Sequence, residues 1–256
     1  MKLTPALTHG THVAGIIAAQ RGNGVGVDGI ADHVLLMPIV ATTAAGDERD
    51  KDVANAIRYA VDNGARVINM SFSKRYSPEK SAVDDAVRYA ASKNVLLVHA
   101  AGNDGENDDS IPHYPTAYYE DGTKAVNFIT VGWSRSRFDA RLAHPYSDYG
   151  ARSVDVFAPG SDIFSTVPGG RYDYKSASSM STAVVTGVAA LLMEYFPDLS
   201  AVQVRELIMR SSFKPEIMDN KPGTQEKVAF RSLSVSGGVV NAYSAVSAAL
   251  GLSTDR

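Results

Sequence analysis

Three short blocks hold the side chains of this 256-residue sequence best suited to proton transfer and nucleophilic attack. The first is His9-Gly10-Thr11-His12-Val13-Ala14-Gly15. Its small residues let an imidazole open a helix, and an imidazole at a helix N-terminus stays neutral, as a general base must. The two histidines could also pair on a metal, although no acidic residue stands at matching spacing. A hydrogen-bonded core histidine is the simpler reading of His12. The second block is Ala100-Ala101-Gly102-Asn103, which leaves an apolar run. A polar amide just past the C-terminal end of a parallel strand sits where α/β sheets place their sites. Its NH2 can donate to a developing oxyanion; an ordinary turn Asn after Gly fits the same residues. The third block, Ser176-Ala177-Ser178-Ser179-Met180-Ser181-Thr182, sets hydroxyls ahead of a long apolar helix. One of them could simply cap that helix. Alternatively, one hydroxyl lies at the positive helix end, where backbone N–H groups also point at an oxyanion.

Short apolar, β-branched runs at 34–40, 67–70, 95–101 and 126–133 read as strands, apolar on both faces. Helical patterns separate them. Residues 50–63 place Val53, Ala54, Ile57, Ala60 and Val61 on one face, with Gly64 to end the helix. A second helix is expected from Ser77-Pro78 to Lys93, with Asn94 at its end. Strands of this kind between helices mean a parallel sheet covered on both sides. The expected class is therefore α/β, with a mostly parallel central sheet in a three-layer αβα arrangement. Further on, 163–167 and 172–174 read as a hairpin about Pro168-Gly169-Gly170. Helices are expected at 179–195, 199–210 and 239–250, with 214–226 as a polar surface loop. One domain of this length can bury a large core.

Composition narrows the chemistry. There is no cysteine, which excludes disulfides, thiol catalysis and Cys-based zinc sites. The net charge is −3 and no Lys/Arg run stands out, so nucleic acid and anionic membrane are not expected partners. The opening residues lack the apolar run of a signal peptide. The longest apolar stretch, 183–193, is too short to span a bilayer and contains Thr186 and Gly187.

Together and in this order the blocks resemble the subtilisin-like (S8) serine peptidase family. His9 stands where the family's base does, Ala101-Gly102-Asn103 is similar to its oxyanion block, and Ser179-Met180 to its nucleophile block. Val67-Ile68-Asn69-Met70-Ser71 resembles the strand that walls the primary specificity pocket. Supporting matches run through residues 23–31, Tyr114-Pro115, 149–160 and 238–242. The resemblance covers essentially the whole chain. It implies serine endopeptidase activity through an acyl-enzyme on Ser179, with His9 as base and Asn103 in the oxyanion hole. Protein or peptide substrates would lie extended between Ser71, Phe72, Ser73 and Ala100, Ala101, Gly102. It also implies export, and no cofactor for the reaction. The loop 20–27 resembles the family's structural calcium loop, to which Asn23 and Asp28 could contribute; a Gly-rich turn without metal fits as well.

The departures from the family pattern set further expectations. The family's triad aspartate lies on a strand tens of residues upstream of the histidine block. Here eight residues precede His9 and none is Asp, while Asp28, Asp32 and Asp155 lie downstream. The chain is thus expected to be one subtilisin-like domain over 1–256 truncated at its N-terminal, Asp-bearing segment, with exposed apolar edges and weak or absent activity. Ala177-Ser178 replace Gly-Thr, Ala183 replaces Pro, and Ser73 replaces Gly. The pocket walls offer no charge, which points to an apolar residue before the scissile bond. The alternative is a catalytically inactive fold of this kind that binds peptides or a partner. An α/β-hydrolase is a poor fit, because Ser178-Ser179-Met180 is no Gly-x-Ser-x-Gly elbow.

Overall fold

Alternation explains the layers. The computed structural model describes residues 5–41 and 48–254. Strands β1 (Val67–Met70), β2 (Leu96–Ala100), β3 (Phe128–Ser134) and β4 (Val156–Pro159) form a parallel sheet in that order. In β2, Leu97 faces helices α2 (Asp50–Asp62) and α3 (Lys80–Ser92), where it meets Val53, Ile57, Val83 and Val87. Leu96 and Val98 face the other way, onto α4 (Ser178–Tyr195), α5 (Ala201–Ser211) and α6 (Ala242–Thr254) through Val185, Leu192, Ile208 and Ala249. Period-2 strands between two helical layers give the expected three-layer α/β fold. Each fully buried aliphatic side chain here contributes about 1.5–3 kcal/mol.

The helix ends follow local chemistry. Gly64 (φ 85°) and Asn94 (φ 59°) turn the chain out of α2 and α3 in the left-handed region. Helix α3 starts later than its Ser-Pro signal suggests. Ser77 Oγ and the Glu79 N–H both donate to Asp50, at 2.7 and 2.8 Å, so these residues tie down the start of α2 instead of capping α3.

Three further expectations need correction. Residues 34–40 form no strand: they have no ladder partner among the described residues, and Leu35 and Val40 are 100% and 86% exposed. Helix α1 runs Pro5–Ala18, so His9 lies inside it and not at its N-terminus. The segment 214–226 is more than a loop, because β7 (Met218–Asn220) pairs antiparallel with β8 (Lys227–Ala229). Asp219, fully buried, accepts the Ala143 N–H at 2.7 Å there.

The hairpin is as expected: β5 (Ile163–Val167) pairs antiparallel with β6 (Arg171–Lys175). It grips α1. Ser165 Oγ and Thr166 Oγ1 donate to the carbonyls of His12 and Thr11, both at 2.8 Å. Gly15 leaves room for these two side chains, which a Cβ would strike. His12 Nε2 lies 3.0 and 3.1 Å from the carbonyl oxygens of Ile163 and Asp173, so His12 is the bonded core residue. Val13, Ile16 and Ile17 pack on Met180 and Ala183, bringing α1 against the first turns of α4.

Candidate active site

Ser179 is the second residue of α4, and Ala177 before the helix is fully extended. The entry is held from outside. The Ala177 N–H donates to Gly160 O at 3.0 Å, and a Cβ on Gly160 would collide with Ala177 O and Ser181 Oγ. A chain of side chains then fixes Ser179 itself. Thr186 Oγ1 donates to Asn69 Oδ1 and Asn69 Nδ2 to Ser71 Oγ, each at 2.9 Å. Ser71 Oγ donates to Ser179 O at 2.9 Å, and Ser179 Oγ returns to Ser71 O at 3.1 Å. The sequence placed Asn69 in the pocket-wall strand and Thr186 in the apolar helix, but gave neither an individual role. Their signal was only a polar residue inside an apolar strand and a hydroxyl inside an apolar helix.

Asn103 Oδ1 accepts the Ser178 N–H at 2.8 Å. That bond fixes the amide's orientation and leaves Nδ2 as the free donor, on an exposed residue one position from the nucleophile's own N–H. The first helical turn adds the positive end of its dipole. Ser179 and Asn103 are therefore brought together as the sequence suggested.

His9 is half-buried on α1. Burial lowers its pKa below the ordinary value, and the charges of Lys175 and His12 lower it further. Its neutrality thus has a different origin from the helix-end effect expected. Among the described residues the His9 side chain has no hydrogen-bond partner, neither Ser179 nor a carboxylate.

The expected pocket walls are only partly open. Ala100, Ala101 and Gly102 are buried, and the Ala101 methyl packs in the core with Leu142, Tyr149 and Phe157. Phe72 turns its edge to His99, with ring centroids 6.3 Å apart. Ser73 Oγ lies close to Gly102, joining the two walls. The wall residues themselves are uncharged, but a buried carboxylate stands behind Gly102. Gly102 (φ +136°) has no space for a Cβ because Asp148 Oδ2 fills it. Asp148 in turn belongs to a cluster with His113, Asp104 and Asp108. Asp104, Asp108 and His113 share one ten-residue stretch, but Asp148 joins them only through the fold, and no shared period signalled the cluster beforehand.

The loop at 20–28 does not fit a calcium ion. Asp28 is its one carboxylate, and its Oδ1 accepts the Gly22 N–H; Asn23 Oδ1 accepts the Val25 N–H. Arg21 occupies the carbonyls of Gly29 and Ile30. Calcium needs roughly six to eight oxygens. Asp32, His33 and Glu194 bring ligand atoms within 4.8 Å of one another on an open surface, where His33 Nδ1 lies 3.0 Å from Glu194 Oε1.

A model of the subtilase family matches residues 2–239. The chain belongs to the subtilase family. It is 39% identical over 206 residues to the thermophilic serine proteinase of Bacillus sp. (strain AK1), covering 80% of this chain and 47% of that protein. It is 37% identical over 238 residues to thermitase of Thermoactinomyces vulgaris, covering 93% of this chain and 74% of the relative. Among solved structures, a protease from Pseudoalteromonas arctica PAMC 21717 superposes with a TM-score of 0.77 at 28% identity, over 94% of this chain and 70% of that one. This subtilase chain therefore spans about half the length of the Bacillus proteinase. Its fold is subtilisin-like. Among the described residues no helix is long and apolar enough to cross a membrane.

Proposed function

We propose that this subtilase chain is the core of a serine endopeptidase, with Ser179 as nucleophile, His9 as general base and Asn103 as oxyanion donor. Ser179 Oγ attacks a peptide carbonyl. His9 takes its proton and returns it to the leaving amine, and water then releases the acyl group by the same route. Asn103 Nδ2 and the Ser179 N–H hold the oxyanion. The observation that carries the reading is the placement of Ser179 at the start of α4, with Asn103 bonded to the adjacent Ser178 N–H. The substrate class is protein or peptide, extended between Ser71–Ser73 and 100–102. Each step uses side-chain and backbone groups alone, so the reading assigns no cofactor. Export is the matching location, by analogy with the family.

The test is a fluorophosphonate probe read by intact mass. A single adduct is expected on this chain and none on Ser179→Ala. No adduct on the folded chain, or an equal adduct on the variant, overturns the assignment. The first of these would favour the binding-module reading, for which the bond from Ser179 Oγ to Ser71 O and the unpartnered His9 speak.

His9 sets the pH dependence. The attacking form needs a neutral imidazole, and burial, Lys175 and His12 all depress its pKa. The labelling rate should rise with pH and level off with a midpoint below the ordinary histidine value of about 6.5. An acid limb centred at or above that value would rule out His9 as the base in this environment.

A further inference from the structure

We propose that His113 is a positioning residue for the oxyanion donor: clasped by Asp104, Asp108 and Asp148, it holds the loop that carries Asn103 in its working place. The proposal rests on the peptidase reading given above. His113 Nδ1 lies 2.9 Å from Asp108 Oδ1 and 3.2 Å from Asp148 Oδ2, and Nε2 lies 3.1 Å from Asp104 Oδ2. The side chains of His113 and Asp148 are 2% and 0% exposed. Asp148 Oδ1 accepts the N–H groups of Asp104 and Glu106, at 3.0 and 2.8 Å. The Asp148 N–H reaches Gly102 O at 3.3 Å. The residues on both sides of Asn103 are thus fastened to one buried residue, Asp104 to the Asp148 carboxylate and Gly102 to the Asp148 backbone N–H. Asp148 Oδ2 has no hydrogen-bond donor of its own; it lies against Gly102 and beside the imidazole. A carboxylate removed from water is held ionised by hydrogen-bond donors and by a neighbouring positive charge, and the two N–H groups reach only Oδ1. His113 supplies the charge, and so the loop geometry depends on the imidazolium.

Other charges around the cluster leave that role to His113. Arg75 is bonded to Glu106 and lies 3.9 Å from the exposed Asp104. Lys80 on α3 is paired with Asp84. His99 on β2 is pushed down to about 3 by burial and is neutral. Asp109, next to Asp108, accepts from Ser153. Burial works against a charged His113, but the Asp108 hydrogen bond and the charges of Asp148, Asp108 and Asp104 together raise its pKa. Burial also pushes Asp108 up to about 7 and Asp148 to about 6. The carboxylates at Nδ1 titrate as a unit with the imidazole. A cavity of about 220 Å³, lined by Lys80, Asp108, His113 and Ser153 among others, adjoins the cluster and gives water a route to it. When His113 loses its proton, one ring nitrogen turns a lone pair to a carboxylate and the clasp opens. The clasp is therefore lost as pH climbs through the raised imidazole pKa, and it weakens on the acid side as pH falls through about 6 and Asp148 takes up a proton.

Two readouts test this on the whole chain. In the wild type, amide hydrogen exchange at Asp104 and Glu106 should be protected near neutral pH and lose protection toward alkaline pH. Both amides should lose protection in His113→Phe. His113→Gln keeps a neutral donor of similar size and guards against simple loss of fold; it should show weakened protection with no alkaline transition. The fluorophosphonate rate at Ser179 should fall about 10²-fold in His113→Phe, as for a catalytic group displaced by about an ångström. In an Asn103→Ala background the same His113 change should do almost nothing, because the two act through one donor. Unchanged protection at Asp104 and Glu106, or an equal rate loss with and without Asn103, overturns the proposal. Labelling that ignores Ser179 overturns the peptidase reading instead, and the exchange data still decide whether the clasp exists.

Discussion

Asn103→Ala should slow fluorophosphonate labelling of Ser179 by about 10²–10³-fold, the loss that subtilisin itself shows when its oxyanion-hole side chain is removed. The reason is that the negative charge on the attacked oxygen exists only after Ser179 has added. A donor aimed at that point lowers the barrier and leaves ground-state affinity nearly unchanged. The fold should tolerate the change, because Asn103 is exposed and the Ser178 N–H it releases can bond water. Asn103→Asp separates the two roles of the side chain. A carboxylate keeps an acceptor for the Ser178 N–H but offers no donor. It should therefore be as slow as the alanine variant while preserving the start of α4. If Asn103→Asp labels at the wild-type rate, the side chain only anchors Ser178, and the oxyanion donor must be sought elsewhere.

The parts of this molecule legible in the sequence are those whose physics is local. Val53, Ile57 and Val61 repeat on one helical face because α2 buries a single stripe. The runs that became β2 and β3 are buried at every position, and apolar at all but His99, Thr130 and Ser134, because both sheet faces are covered. Residues 34–40 show where this logic stops. Their composition is that of a buried strand, but a strand also needs a neighbour to accept and donate hydrogen bonds. Among the described residues they have none, and Leu35, Leu36, Met37 and Val40 face solvent. The site divides along the same line. Ser179 and Asn103 lie in contiguous blocks at element ends, so motif and position agreed. The links that fix them, Asn69 to Thr186 and Asp148 to Asp104, join residues brought together only by the folded sheet. His9 was identified by type, but its environment was misjudged. The helix extends back to Pro5, and burial, not a helix end, depresses its pKa.

The same non-local chemistry makes Asp155 the residue whose loss should cost the most stability. Its side chain is fully buried at the entry to β4. Oδ1 meets Arg205 Nη2 at 2.8 Å and Lys124 Nζ at 3.2 Å, and Oδ2 accepts the Thr130 N–H at 2.9 Å. Arg205 also donates from Nε to Phe128 O at 2.8 Å, so one carboxylate ties β3, β4 and α5 together. Asp155→Ala leaves the Thr130 N–H buried without a partner and strands a largely buried guanidinium. Removing one member of such a pair costs about 3–5 kcal/mol, a large share of the roughly 5–15 kcal/mol by which domains are stable. Urea unfolding should show it as a lowered midpoint at an unchanged slope. Asp155→Asn, which retains one acceptor, should lose less. In an Arg205→Met background the Asp155→Ala step should shrink, because the stranded charge is then gone. A loss of less than about 1 kcal/mol, the range of exposed ion pairs, would mean that water reaches this carboxylate and that the three elements are held by apolar packing alone.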